Sequence, residues 1–208
     1  MKKILLFLLE GYADWESEYA SAKLNKAELG YCVQTISLND SPVISQGNIS
    51  TNIDYSLDSF HDFSTLSAFI LIGGIGWGNR NLIRGYNLGR YDSDMSNKIN
   101  DFINKCLSSD ILVAAICDGV TFLADNGYLD SIVHTGNTVE YLQEKAPLYK
   151  GTGYFKEKQA VTDHNIITAN GTAALEFVRE ILIKMNMLEN EKQAIEWFDL
   201  YKKGYYLE

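Results

Sequence analysis

The chain has 208 residues, 46% of them hydrophobic, and a formal charge of −9 from 27 acidic against 18 basic residues. That length and apolar content suit one sizeable core, so the expectation is a single domain over residues 1–208. With no cluster of Lys or Arg to reverse the acidic balance, a nucleic-acid partner is excluded, because such affinity rests on basic side chains displacing counterions.

Residues 4–9 are a continuous apolar run of strand length, which is how a parallel strand covered on both faces reads. The run is too short for a signal-peptide core, lacks a small-residue cleavage site and meets Glu10, Asp14 and Glu16 at once. No window approaches the ~20 apolar residues of a membrane span. The expectation is therefore a cytoplasmic protein without a membrane partner. Asp14 is placed as the cap of a helix reaching residue 29, with Gly30 as its stop and Trp15 in its core-facing stripe.

Residues 31–38 read as a second strand, and 43–45 with 49–53 as a short hairpin around Gln-Gly-Asn. The aliphatic run 68–72 ends on Gly73-Gly74. Residues 95–107 have a helical pattern, 111–116 form a strand and 120–126 a short helix. A helix over 138–146 stops before Pro147. A hairpin of 160–162 and 166–168 turns at Asp163-His164-Asn165. Thr172 is placed as the cap of a helix to residue 187, and 191–203 form the last helix. Strand and helix alternate throughout, so the fold expected is an α/β doubly wound sandwich.

Cys32, Cys106 and Cys117 are odd in number, far apart and without a C-x-x-C pair, which points to reduced thiols, with no disulfide framework and no metal site. The Gly-rich run 73–78 matches neither G-x-G-x-x-G nor a P-loop, so no nucleotide cofactor is expected. It reads instead as a wall of the cysteine pocket, covered by Trp77.

In open α/β sheets, reactive groups gather beyond the C-terminal ends of the strands. Three strand ends here carry chemistry: Glu16 after the first, Gly73-Gly74 after the middle one, and Cys117 after residues 111–116. A strand turning sharply into a helix at a nucleophile is an elbow, and Gly119 relieves crowding in that turn. The helix N-terminus favours a thiolate at Cys117. The N–H groups of Asp118 and Gly74 are the candidate oxyanion donors.

Ala-Ile-Cys-Asp-Gly at 115–119, Asp-Trp-Glu at 14–16, Gly-Gly at 73–74 and Thr-Ala-Asn-Gly-Thr at 168–172 together make the chain resemble the DJ-1/PfpI superfamily, related in fold to the class I glutamine amidotransferases. The resemblance implies a flavodoxin-like three-layer sandwich with a mostly parallel central sheet, a homodimer, Cys117 at the nucleophile elbow and Glu16 hydrogen-bonded to its sulfur. A carboxyl in a partly buried pocket can stay protonated, so Glu16 would tune the thiolate as a donor.

Peptidase-like members place a histidine directly after the cysteine, where this chain has Asp118. Other members take one from about twenty residues downstream. Here His134 is the histidine in that neighbourhood, while the family position falls nearer Gly136 or Asn137, and an odd offset in a strand turns a side chain to the other face. The His-x-Glu of the glutaminases is missing. What the resemblance implies is a cysteine-dependent hydrolase, amidase or glyoxalase/deglycase acting on a small carbonyl, amide or peptide substrate, with Cys117, Glu16 and His134 as candidate catalytic residues. The rival expectation is a stress-protective, redox-responsive protein whose Cys117 is oxidised to the sulfinic level with little turnover.

Overall fold

The computed structural model describes residues 1–78 and 93–206. Its centre is a seven-stranded sheet built from β1 (Lys2–Phe7), β2 (Tyr31–Ser37), β5 (Tyr55–Ser56), β6 (Leu66–Leu71), β7 (Leu112–Ile116), β8 (Ala160–Asp163) and β9 (Ile166–Ala169). The order is β5-β2-β1-β6-β7-β9-β8, parallel throughout except for β8, which returns antiparallel on β9. The short strands β3 (Val43–Ile44) and β4 (Ser50–Thr51) form a separate antiparallel pair. This is the expected flavodoxin-like α/β architecture. The expected hairpin around 46–48 is present, while β5 is an edge strand too short to leave a pattern in the sequence.

Alternation along each central strand divides the core into two clusters. Leu5, Phe7, Phe69, Leu71, Val113 and Ala115 face one side. Ile4, Leu6, Ile70, Ala114 and Ile116 face the other. Because both faces are buried, the strands read as unbroken aliphatic runs. The first face is covered by α2 (Ser93–Ser108) and α3 (Asp118–Asp125); the second by α1 (Asp14–Leu24) and α5 (Ala174–Lys184), with α6 (Glu191–Lys203) packed on α5 and α4 (Val139–Lys145) beside α3. Among the described residues, no helix is long and apolar enough to cross a membrane.

Several local expectations are corrected. The first helix ends at Leu24 and is followed by a separate 3-10 turn over Ala27–Leu29, which Gly30 closes in the left-handed region at φ 80°. Asp14 is the first residue of α1, not its cap; its carboxylate accepts from the Gly47 N–H at 2.7 Å and so ties the β3–β4 turn to the helix. Ala173 precedes α5, and Thr172 instead donates its hydroxyl to Asn170 Oδ1 at 2.7 Å. Trp77 does not cover the cysteine: it is buried against Phe7 and Phe122, with ring centroids 5.6 and 5.2 Å away, and its indole N–H donates to Ile72 O at 2.7 Å. Burial of an aromatic ring this size contributes on the order of 3 kcal/mol, which outweighs what it would gain lying over a polar pocket.

Candidate functional site

The C-terminal ends of β1, β6, β7 and β9 converge on Cys117. It follows β7 directly and stands as the N-cap of α3, at φ 56° and ψ −123°. A non-glycine residue with that backbone is strained by ~1–3 kcal/mol and persists only where its surroundings over-determine it. They do so here. Its N–H donates to Ala169 O at 3.0 Å, and its carbonyl accepts from the Val120 N–H at 3.0 Å. Gly119 lies so close to β6 that a Cβ there would stand 2.7 Å from Leu71 O. The expected elbow is present, with its sulfur side chain at the sheet's C-terminal edge.

Glu16, on the first turn of α1, is completely buried. Its Oε2 accepts from the Gly73 N–H at 2.7 Å, and the carboxyl also pairs with the Cys117 thiol. Burial is the main cause that raises Glu16 to about 7; the bonds from Cys117 and Gly73 oppose it, and the charge of Asp118 adds to it. Cys117 is pushed up to about 12, first by burial and then by the charges of Glu16 and Asp118, against the donation it receives from Asn137. The helix N-terminus therefore does not leave a resting thiolate, as the sequence suggested. At neutral pH the proton of the pair rests on sulfur, beside a carboxyl titrating near that pH.

Asp118 is the first residue of α3. Its Oδ1 accepts from the Tyr141 hydroxyl at 2.8 Å and from Thr121 at 3.3 Å. Burial raises its carboxyl while these two donors hold it down. Burial and the Asp118 carboxylate together raise the Tyr141 phenol, so it remains a donor. The acidic neighbour of the thiol is thereby occupied by a partner from α4.

Among the described residues, neither of the two N–H groups expected as oxyanion donors has an acceptor. Gly74 forms an isolated antiparallel bridge with Tyr12, in which Ala13 N donates to Gly73 O and Ile75 N to Gly11 O, so Gly74's own N–H points away from that segment. Its φ of 123° and the 2.5 Å that would separate a Cβ from Gly11 O both require glycine. The Asp118 N–H is one of the first N–H groups of α3, which have no partner within their helix.

His134 does not meet the thiol. It is fully buried, its Nδ1–H donates to Ile132 O at 2.8 Å, and its Nε2 accepts from the Tyr149 hydroxyl at 2.7 Å. Burial lowers its pKa, which agrees with a neutral ring using one nitrogen as donor and the other as acceptor. The residue that arrives at the sulfur is Asn137, three positions later, whose Nδ2 donates to Sγ at 3.6 Å. The only sequence signal for it was the spacing, which fell nearer Gly136 or Asn137 than His134.

Gly171 and Trp15 were also outside the expected site. A Cβ at Gly171 would lie 2.8 Å from Cys117 Sγ. Trp15 is half-exposed, not in the core, and its indole N–H donates to Gly171 O at 3.1 Å. Beside Asn137 opens a cleft of about 370 Å³ bounded by Thr138, Phe155, Gln159 and Asn170. Among the described residues, no three His, Cys, Asp or Glu side chains are grouped to hold a metal ion. Cys106 is buried near the end of α2, and Cys32 lies half-buried in β2. What the Cys117 arrangement can do chemically is add sulfur to an electrophilic carbon while a carboxylate receives the proton.

Residues 2–184 match the DJ-1/PfpI family. The chain is similar to the Bacillus subtilis (strain 168) protein named "Uncharacterized protease YdeA", with 39% identity over 88% of this chain and 82% of that one. It is also similar to "Uncharacterized protease YoaZ" of the same organism, with 30% identity over 97% and 91%. Among solved structures, a thiJ/pfpI family protein from Bacillus anthracis superposes with a TM-score of 0.83 at 31% identity, covering 97% of this chain and 90% of that one.

Proposed function

We propose that this chain, which belongs to the DJ-1/PfpI family, is a cysteine-dependent enzyme acting on a small carbonyl or amide substrate, in the hydrolase, amidase or glyoxalase/deglycase range. The observation that carries this reading is the pairing of a buried, near-neutral Glu16 carboxyl with the strained elbow thiol of Cys117. A base whose pKa lies near ambient pH combines the right protonation state with adequate proton affinity.

In this reading the Cys117 sulfur attacks the substrate carbonyl carbon. A C–S bond forms, the C=O π pair moves to oxygen, and the thiol proton passes to the Glu16 carboxylate in the same event. The transfer is concerted because the resting thiol, near 12, is a much weaker acid than Glu16 near 7, and becomes acidic only as sulfur bonds to carbon. The N–H groups of Gly74 and Asp118 receive the oxyanion. Protonated Glu16 then returns its proton, to the alkoxide of a thiohemiacetal or to the departing nitrogen of an amide. An amide substrate leaves a thioester, which water hydrolyses.

The redox reading is less well supported, because the thiolate is the form that peroxide oxidises and burial with two carboxylates disfavours it. The same reading carries a homodimer, supported by the exposed Tyr19, Leu200 and Tyr201 along α1 and α6. Screening dicarbonyls, amides and peptides against wild type, Cys117→Ser and Glu16→Gln tests the enzyme. Turnover lost in both variants is expected. Selective peroxide oxidation of Cys117 with no turnover of any substrate would replace this reading by the redox one.

A further inference from the structure

We infer that Asn137 is a catalytic residue, its carboxamide N–H holding negative charge on the Cys117 sulfur. The inference rests on the reading of Cys117 as the nucleophile. The orientation of the Asn137 amide is fixed by a neighbour. The Gly171 N–H donates to Asn137 Oδ1 at 2.9 Å, and a backbone N–H can be met only by the oxygen end. The Nδ2 end is therefore turned to Cys117 Sγ, 3.6 Å away. Gly171 is itself held by the Trp15 indole N–H on its carbonyl, so a chain of donors runs from Trp15 through Gly171 and Asn137 to the sulfur.

The loop bearing Asn137 is anchored as well. The Thr135 N–H donates to Thr168 Oγ1 at 2.9 Å and the Thr135 hydroxyl to Lys158 O at 2.7 Å, fixing the loop against β9 and the segment before β8. Asn137 stands on a different element from Glu16 and Asp118, and it neither accepts nor delivers a proton. As the thiol proton moves to the Glu16 carboxylate and the C–S bond forms, the amide strengthens its hydrogen bond to the electron-rich sulfur. When the C–S bond breaks and the proton returns, that bond relaxes. This division of labour supplies a donor to sulfur where the site has no imidazole: Glu16 carries the proton and Asn137 the charge.

The test uses iodoacetamide alkylation of Cys117, read by peptide mass spectrometry from pH 6 to 10 in the full-length protein, and needs no substrate. Asn137→Asp keeps the oxygen that Gly171 requires while replacing the donor to sulfur with a third carboxylate. The expected result is an alkylation curve displaced upward by about one pH unit, so about tenfold slower at a fixed pH on the rising limb. Asn137→Ala, which removes donor and charge together, is expected to shift the curve by less than Asn137→Asp. Overlapping curves for wild type and Asn137→Asp, with both proteins folded by circular dichroism, would overturn the inference. So would equal slowing in Asn137→Asp and Asn137→Ala, which marks a merely structural role. Because turnover is not measured, failure of the enzyme reading appears separately, as absence of activity in a wild type whose alkylation still depends on Asn137.

Discussion

The carboxyl of Glu16 and the thiol of Cys117 meet across Gly73, where an added Cβ would lie 2.6 Å from Glu16 Oε2 and 2.5 Å from Cys117 Cβ. Neither neighbour is a flexible chain end free to yield: Glu16 Oε2 is held by the Gly73 N–H itself, and Cys117 is held by its strained backbone. Gly73→Ala is expected to cost about 1–3 kcal/mol by overpacking and to abolish turnover. Urea unfolding and an activity assay check the two effects separately.

Glu16→Gln should increase alkylation of Cys117 while reducing turnover. The Gln carbonyl can still accept from Gly73, which turns its NH2 toward the sulfur and removes the carboxylate that raises the thiol. A rise of roughly threefold to tenfold in the alkylation rate at pH 8 is expected, with no base left to take the thiol proton during catalysis. Equal rates in the two proteins would show that the Glu16 charge does not reach the sulfur.

The same variant changes stability with pH. Glu16 is raised from 4.5 to about 7 in the folded chain, so the folded state binds the extra proton between those values. The stability linked to that proton is fully present below 4.5 and is lost as the pH rises through about 7. The loss amounts to about 3 kcal/mol at alkaline pH. Glu16→Gln escapes it. Thermal melts should show the variant gaining on wild type as pH increases from 4 to 8.5; a difference that does not vary with pH would contradict the buried acid.

Tyr141→Phe deprives Asp118 Oδ1 of its 2.8 Å donor and leaves the 3.3 Å Thr121 hydroxyl and the charge of Lys145 to hold a largely buried carboxylate. The expected destabilisation is about 1–3 kcal/mol at pH 8. The Asp118 carboxyl should titrate higher than in wild type, so the penalty shrinks as the pH falls and Asp118 takes up a proton. Denaturant melts at pH 5 and pH 8 check the sign, and carboxyl-selective infrared or NMR titration checks the group.

His134→Phe is expected to damage the fold and leave the chemistry's pH dependence untouched. The imidazole bridges Ile132 O and the Tyr149 hydroxyl away from the thiol. Its pKa is lowered, so the stability this ring contributes is present above the ordinary imidazole value and lost as the pH falls below it. A melt should show lower stability, while the Cys117 alkylation curve superimposes on wild type. A displaced curve would restore His134 to the site.

The arrangement of parallel strands was legible because both sheet faces are buried. Residues 68–72 and 111–116 therefore carry unbroken aliphatic runs, and the chemistry of such sheets collects at their C-terminal edges. Cys117 and the Gly73-Gly74 pair stand directly after such a run and Glu16 in the helix that follows one, so local pattern alone placed them near one another. Local pattern carries no distance between a loop and a strand end. Asn137, Tyr141, Gly171 and Trp15 come to Cys117 and Asp118 through contacts between segments 20 to 156 residues apart; beyond a spacing near Asn137 and the motifs that hold Trp15 and Gly171, the sequence does not mark the meeting. The choice of Asn137 over His134 was made by the anchoring of Thr135 on Thr168 and Lys158, which carries the chain three residues further before a side chain faces the sulfur. The protonation of the site was also a tertiary matter. A helix N-terminus read from sequence favours a thiolate, but only the packed structure adds the burial and the two carboxylates that keep the proton on sulfur.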